Sequence, residues 1–516
     1  MATNLVIIEA PGKTKSLGSL LWQAGIRDNE VLATVGHLGT NPDGFRPLAI
    51  DVGYRETAYR LKPEKEALAA KIARAANEAV HIFLATDDDQ EGDVIARDVL
   101  RFCVDEGDKG KVKRVRLKAL APSEIREVFR KAESFDDLSA ARGDARRIMD
   151  RLIGSLSSEV AAVGRVQGSL LLQLGQQSPV TGVATYLLPS SDDKGDFVAN
   201  VPLYSAEPAI APARFDDFVV EAGRCSLGVM ASQAMNHDEI VLATSLASGA
   251  GIRDVSKAMQ GLYENGQMTY PRSRAHSITP EASRRVLAMA RANGAGFNPA
   301  LFKAVRTIEG EHAHEAPNPL ILDVPLNGNP LVMDLGHQVL LVIARHLVEC
   351  GIAAHAEEPR LADLAALPPE LAALPWHRVV PLGERLWEAA PREAGIERWT
   401  AEQSLLHFMS RNELGRSSTI IDHVAKFLGR GLVTESFEIT EKGEQWGHHI
   451  GDLFRHQNIS KMIEQYIDEH KKSPSLMVED MIELCGLSAV GSAVQQQQGL
   501  EHDERETDAL SPYDLA

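Results

Sequence analysis

Cysteine is scarce in this chain. Only Cys103, Cys225, Cys350 and Cys485 occur in 516 residues, and they are scattered. That spacing excludes a zinc ribbon and gives no sign of a disulfide framework. The four read as reduced, buried thiols of a cytosolic protein. Long apolar runs are also missing. The best of them, Val339-Leu340-Leu341-Val342-Ile343-Ala344, ends at Arg345. A membrane span needs about 20 apolar residues, so this run reads as a core helix and no membrane partner is expected. The N-terminus enters a strand directly, without the pattern of a signal peptide, which points to the cytoplasm. Cations are in deficit, with 54 Lys and Arg against 72 Asp and Glu, a net charge of −18. A uniformly basic, phosphate-binding surface is thereby excluded; only a local cationic groove remains possible. Residues 109–118 alternate cations with apolar residues, as a half-buried strand with a basic face would. The helix around Arg142, Arg146, Arg147 and Arg151 offers a second basic surface.

What is present points to a multidomain enzyme. The length suggests roughly three or four domains, and a hydrophobic content of 44% supplies ordinary cores. Val80-His81-Ile82-Phe83-Leu84 is a short apolar run that reads as a buried strand. Ala85-Thr86-Asp87-Asp88-Asp89-Gln90-Glu91-Gly92 follows it, with acids at alternate positions 87, 89 and 91. In an α/β sheet, ligands bind at that edge. Crowded carboxylates favour a cation, and Mg²⁺ takes one or two of them while keeping waters for phosphate oxygens. The same acids suit an acidic loop capping a helix that begins near Glu91. Residues 5–8 form a second apolar run, followed by Glu9-Ala10-Pro11-Gly12-Lys13-Thr14. A P-loop would need Gly at position 7, which is Ile7, so no ATP site is expected. Glu9 and Lys13 remain as an acid and a cation suited to phosphoryl-transfer electrostatics.

A third segment, Gln260-Gly261-Leu262-Tyr263-Glu264-Asn265-Gly266-Gln267-Met268-Thr269-Tyr270-Pro271-Arg272-Ser273, reads as a helix end, an Asn-Gly turn and an extended stretch before Pro. On an extended chain Tyr270 and Arg272 point to the same side. Tyr is a possible covalent nucleophile, and Arg can hold a phosphate bidentately.

Glu9 after one strand and Asp87-x-Asp89-x-Glu91-Gly92 after another resemble the Toprim domain, which implies Mg²⁺ and nucleic acid. The Tyr270 segment is similar to the active-site motif of type IA DNA topoisomerases. Further segments resemble that family in the same order: Gly36-His37, Ala145 to Gly154, Gly164-Arg165-Val166-Gln167, Ala313-His314-Glu315-Ala316 and Gly415-Arg416-Ser417-Ser418-Thr419. The resemblance runs from about residue 4 to about residue 445. It implies catalytic roles for Tyr270, Arg272, Glu9, Lys13 and His314. Metal ligation would fall to Asp87, Asp89, Glu91 and Glu9, and DNA-backbone contacts to Arg146, Arg165, Gln167 and Arg416. The implied activity is ATP-independent cleavage of one DNA strand through a 5′-phosphotyrosine link, strand passage and religation by a monomer. A Toprim nuclease or primase, or a weakly active DNA-binding protein of a mobile element, remains an alternative. The chain departs from the family at Gln90 (usually Arg), Asp93 (usually Glu), Ser273-Arg274-Ala275 (usually Thr-Asp-Ser) and Ser417 (usually Pro), and it lacks C-terminal zinc ribbons.

The expected architecture is multidomain, α/β plus mainly α. A Toprim sheet domain covers 1–122, its end marked by a helix start capped by Ser123. A helical DNA-binding domain combines 123–184 and 398–490, and Thr400 caps a helix in it. A β-containing gate arch, 185–245 and 358–397, is possibly reduced; runs 218–220 and 240–242 are strand-like within it. A helical domain over 246–357 carries the tyrosine. Residues 432–439 suggest a small winged hairpin, and 491–516 a disordered acidic tail. The resemblance implies that these parts close into a toroid.

Overall fold

A computed structural model describes residues 3–117, 122–157, 163–204, 206–302, 315–384, 387, 393–487, 489–490 and 494. The elements run β1 (Thr3–Ile8), α1 (Thr14–Gln23), β2 (Asn29–Ala33), β3 (Gly39–Thr40), β4 (Arg60–Leu61), α2 (Glu66–Glu78), β5 (Ala79–Leu84), α3 (Gln90–Cys103), β6 (Val112–Arg114), α4 (Pro122–Arg130), α5 (Asp137–Ser157) and α6 (Arg165–Leu174). Then come β7 (Gly182–Leu188), β8 (Phe197–Leu203), β9 (Ala222–Val229), α7 (His237–Ser248), α8 (Ile252–Glu264), α9 (Pro280–Ala292), α10 (Leu335–Glu349), β10 (Ala353–Pro359), α11 (Leu361–Leu364), α12 (Pro369–Ala372), β11 (Arg378–Pro381) and β12 (Gly395–Arg398). Helices α13 (Ala401–Arg411), α14 (Ile420–Gly429), α15 (Glu441–Leu453), α16 (Ile459–Glu469) and α17 (Pro474–Cys485) complete the order. The chain divides into two compact units, Met1–Gln176 with Ile439–Ala516, and Gln177–Glu438.

The first unit is built on a four-stranded parallel sheet in the order β2-β1-β5-β6. Alternation along β1 sends Leu5 and Ile7 to one face, with Ile72 of α2 and Val99 of α3. Val6 and Ile8 go to the other, with Leu17 and Leu21 of α1 and Ile125 of α4. A sheet covered on both faces explains why its strands are continuous apolar runs. Because β1 and β5 are parallel neighbours, the loops that leave them emerge at one edge. A second core in this unit joins Ile148, Met149 and Leu152 of α5 to Ile463 and Ile467 of α16 and Met477 and Met481 of α17.

The second unit holds two three-stranded antiparallel sheets, β12-β7-β8 and β11-β10-β9. Its helical part packs α10 against α7, α8 and α9. The run 339–344 lies inside α10 as expected, with Val339, Leu340, Leu341, Ile343 and Ala344 buried. Thr400 caps α13 as expected, closing a capping box with Gln403.

Several local expectations are corrected. Residues 240–242 are not a strand but part of α7, whose start is fixed by a capping box between Asn236 and Glu239. Residues 218–220 form no strand, only an isolated bridge from Val220 to Ser190. Helix α4 is found where a helix start was expected, from Pro122, and the Ser123 side chain lies outside the described residues. The hairpin expected at 432–439 is minimal, with bridge residues Val433 and Ile439 flanking a tight turn closed by Thr434 N to Glu438 O. Cys225 is exposed; the other three cysteines are buried and all four are free. Apart from buried Val494, the acidic tail lies outside the described residues. No described helix is long and apolar enough to cross a membrane.

Candidate functional site: an acidic sheet edge and a tyrosine loop

The loops after β1 and β5 bring Glu9, Lys13, Asp87 and Asp89 together. Lys13 is buried, and its Nζ lies 3.0 Å from Asp87 Oδ1. Burial first, then the charges of Asp87 and Asp89, push the Glu9 carboxyl up to about 7 against the pull of Lys13 and His37.

The path of the acidic loop is set from beneath by Arg114. This buried guanidinium donates to the carbonyls of Leu84, Thr86, Asp87 and Val115, and its Nε lies 3.0 Å from Asp93 Oδ1. Arg116 pairs with Asp88 at 2.9 Å and reaches Asp93. The basic-faced strand expected over 109–118 is thus corrected. Only Val112–Arg114 is strand; Arg114 turns inward to a carboxylate, and Arg116, though paired with Asp88, keeps 38% of its side chain exposed. Asp93 supplies the carboxylate that Arg114 needs inside the protein.

The helix-capping reading of the alternate acids holds at Asp89. Asp89 is the N-cap of α3, its side chain accepting from Gly92 N at 2.7 Å. Glu91, in the first helical turn, faces His37 Nε2 at 2.9 Å and Arg146 at 3.2 Å. Three ligating atoms from Asp87, Asp89 and Glu91 do not converge within 4.8 Å. Mg²⁺ needs only one or two carboxylates plus waters, so the crowded pair of Glu9 with Asp87 or Asp89 fits it better than a four-carboxylate cage. On its other side His37 Nδ1 lies 3.9 Å from the fully buried Asp98, which accepts from Gly39 N at 2.9 Å.

Gly92 has no steric latitude. A Cβ there would sit 2.1 Å from the Asp87 carbonyl oxygen. We expect Gly92→Ala to force the loop off Arg114 and cost about 1–3 kcal/mol or more. A urea-unfolding midpoint unchanged from the parent would contradict this packing.

Arg146 and Arg165 do not form a surface. Both are buried. Arg146 bonds Glu464 through Nε and one terminal nitrogen, each at 3.0 Å, and contacts Gln90. Arg165 bonds Asp150 at 2.6 Å and Glu464 at 2.7 Å. Burial alone would lower the Arg165 pKa, but Asp150 and Glu464 outweigh it and raise it. Arg142 is buried as well, donating to the carbonyls of His470 and Asp468. The basic helix surface expected from sequence is corrected to an internal ion-pair network. Gln167 is also buried, and its Oε1 has no hydrogen-bond partner among the described residues.

In the second unit, Tyr270 follows α8 and an Asn265-Gly266 turn in which Gly266 has φ +69°. Its stretch is held as a strand would be. Met268 bridges Pro319, and Thr269 N donates to Asn318 O at 2.9 Å. The ring is 7% exposed and packs edge-on against Tyr263, centroids 5.5 Å apart. Arg272 is exposed, so the two side chains occupy different environments despite their spacing. Buried His237, which the sequence gave no reason to single out, anchors this loop. Its Nδ1 donates to Pro271 O at 2.9 Å and its backbone N–H to Ser273 O at 2.9 Å. Burial lowers its pKa. Arg274 donates to the Gly415 carbonyl, tying the tyrosine loop to the 415–419 loop that carries half-buried Arg416. His314 lies outside the described residues.

Residues 4–120 match the Toprim domain model. A stretch of 179 residues is 27% identical to DNA topoisomerase 1 of Campylobacter jejuni, covering 33% of this chain and 25% of that protein. Over 197 residues the chain is 28% identical to DNA topoisomerase 1 of Mycoplasma pneumoniae, covering 33% and 27%. Over 177 residues it is 30% identical to that of Aquifex aeolicus, covering 33% and 31%. The chain thus spans between about a quarter and a third of the curated relatives it matches. Full-length topoisomerase I from Thermotoga maritima superposes with a TM-score of 0.62 at 18% identity, over 96% of this chain and 90% of that one. The chain therefore carries a segment that matches the Toprim domain, within a chain that has the topoisomerase I fold.

Proposed function

We propose that this chain is a type IA DNA topoisomerase that cuts one strand, holds it covalently and reseals it without ATP. The observation that carries the reading is the acidic edge of the parallel sheet, where Glu9 is crowded by Asp87 and Asp89 beside Lys13. Such an edge on a topoisomerase I fold suits phosphodiester chemistry.

In the proposed reaction Tyr270 gives its phenolic proton to solvent and its Oη attacks a backbone phosphorus. A P–O bond forms to the tyrosine, and the bond to the 3′ oxygen breaks. Glu9 passes a proton to that leaving oxygen and takes it back on religation. Arg272 and Lys13 stabilise the extra charge on the phosphorane. Glu9 with Asp87 or Asp89 would hold Mg²⁺, which when bound supplies charge neutralisation beside the phosphate. Arg416 and His314 would contact flanking backbone. Arg146 and Arg165 serve the site from inside, Arg146 by orienting Glu91. Since the tyrosyl ester retains the bond energy, resealing needs no nucleotide.

Negatively supercoiled plasmid with Mg²⁺ tests the proposal. Relaxation is expected, with a denaturant-resistant protein–DNA adduct on the 5′ side of the break. Breaks that carry no attached protein would sink the proposal in favour of a Toprim nuclease.

A further inference from the structure

We propose that Cys225, His355 and Glu357 form a binding site for a borderline-soft divalent metal, Zn²⁺ foremost, on the β9–β10 strand pair. Glu357 stands directly opposite Cys225 in the antiparallel register, and His355 opposite Leu227. Side chains alternate faces along a strand, so the three project from one face of the sheet. A ligating atom from each lies within 4.8 Å of the other two, a grouping found nowhere else among the described residues. Cys225 is exposed, His355 half-buried and Glu357 buried, so an ion can enter from solvent.

The donor chemistry selects the metal. A thiolate, an imidazole and a carboxylate are the zinc set, whereas Mg²⁺ and Ca²⁺ take oxygen. Three protein ligands leave a fourth position for water. The carboxylate is fixed in advance: Arg378 Nε donates to Glu357 Oε2 at 2.8 Å, while the same guanidinium grips both oxygens of Asp192 and the Gly195 carbonyl. A ligand oriented by such an outer partner binds more tightly. Among the described residues the other oxygen, Oε1, meets Lys194 at 3.4 Å, and that side chain is 46% exposed and able to swing away. Arg378 and Lys194 balance Asp192 and Glu357 in charge. On binding, Cys225 releases its proton to solvent and coordinates as thiolate.

The position suggests what the ion does. Strand β9 leads into residues 230–352 and β10 leads out of them. An ion shared by the two strands clips the ends of the segment that carries Tyr270. This site does not depend on the strand-breakage reading, and its test reads metal alone.

Co²⁺ titrated into the full-length chain, as a spectroscopic stand-in for Zn²⁺, decides the matter. One equivalent should give a thiolate-to-cobalt charge-transfer band, bleached by one equivalent of Zn²⁺. Oxygen ligands at the Toprim edge cannot give that band, and Cys103, Cys350 and Cys485 are buried. Cys225→Ser should abolish it, and His355→Ala should weaken Zn²⁺ binding at least about tenfold, by competition with a chromophoric chelator. No band at stoichiometric Co²⁺, a band that persists in Cys225→Ser, or unchanged Zn²⁺ affinity in His355→Ala would overturn the assignment.

Discussion

Tyr270→Phe should abolish both plasmid relaxation and the covalent DNA adduct while leaving the fold intact. The substitution removes one oxygen. The ring's edge-on contact with Tyr263 is a property of the aromatic face and survives in Phe. The anchoring bonds, Thr269 N to Asn318 O and His237 to Pro271 O and Ser273 O, involve backbone and other side chains. Losing one hydroxyl should therefore cost no more than about 1–2 kcal/mol of stability. Activity is another matter, because a reaction that proceeds through a covalent intermediate has no route without its nucleophile. Removal of such a group elsewhere lowers turnover by about 10⁴–10⁶-fold. Binding of a single-stranded oligonucleotide should stay within about threefold of the parent at fixed salt, since phosphate contacts dominate affinity. The measurements are agarose-gel relaxation, adduct trapping in detergent and oligonucleotide binding at one stated salt concentration. Adduct formation by the Phe variant would move the nucleophile elsewhere and end the assignment.

How far the chain could be read in advance depended on whether the signal was local. The sheet edge was legible because two apolar runs of strand length each ended in chemistry, Glu9 after one and Asp87 after the other. Helix caps were legible for the same reason, Thr400 being an example. The run Ile240-Val241-Leu242 misled because a short apolar run looks the same in a strand and in a buried helix face. The capping box four residues upstream was the better signal. The arginines misled for a different reason. Sequence shows that Arg114, Arg146 and Arg165 are cations, but whether they face solvent depends on distant carboxylates. For Arg146 and Arg165 that carboxylate is Glu464, some three hundred positions away. The Cys225–His355–Glu357 group was invisible because its ligands come from strands brought together across the whole tyrosine-bearing segment.

Glu464 is where the largest loss of stability is expected. It lies on α16, 6% exposed, and serves Arg146 of α5 and Arg165 of α6 with the same carboxylate. Glu464→Ala leaves two buried guanidiniums short of a counter-charge. Removing one partner of a buried pair costs about 3–5 kcal/mol, because the remaining charge is stranded. Arg165 keeps Asp150, and Arg146 keeps Glu91 and Gln90, which places the expected loss near the lower end, about 3 kcal/mol. By contrast, Asp422→Ala, which breaks the exposed pair with Arg253 at 3.4 Å, should cost less than about 1 kcal/mol. Urea denaturation of both variants separates the two regimes. Glu464→Ala has a second consequence at the acidic edge. With its main partner gone, Arg146 is expected to lean harder on Glu91, drawing that carboxylate away from the proposed metal position. Apparent Mg²⁺ affinity, read from the metal dependence of religation, should then weaken in Glu464→Ala and stay unchanged in Asp422→Ala. Equal losses of stability in the two variants would mean that the Arg146–Glu464–Arg165 cluster is solvated rather than buried, and the internal network described for α5, α6 and α16 would have to be given up.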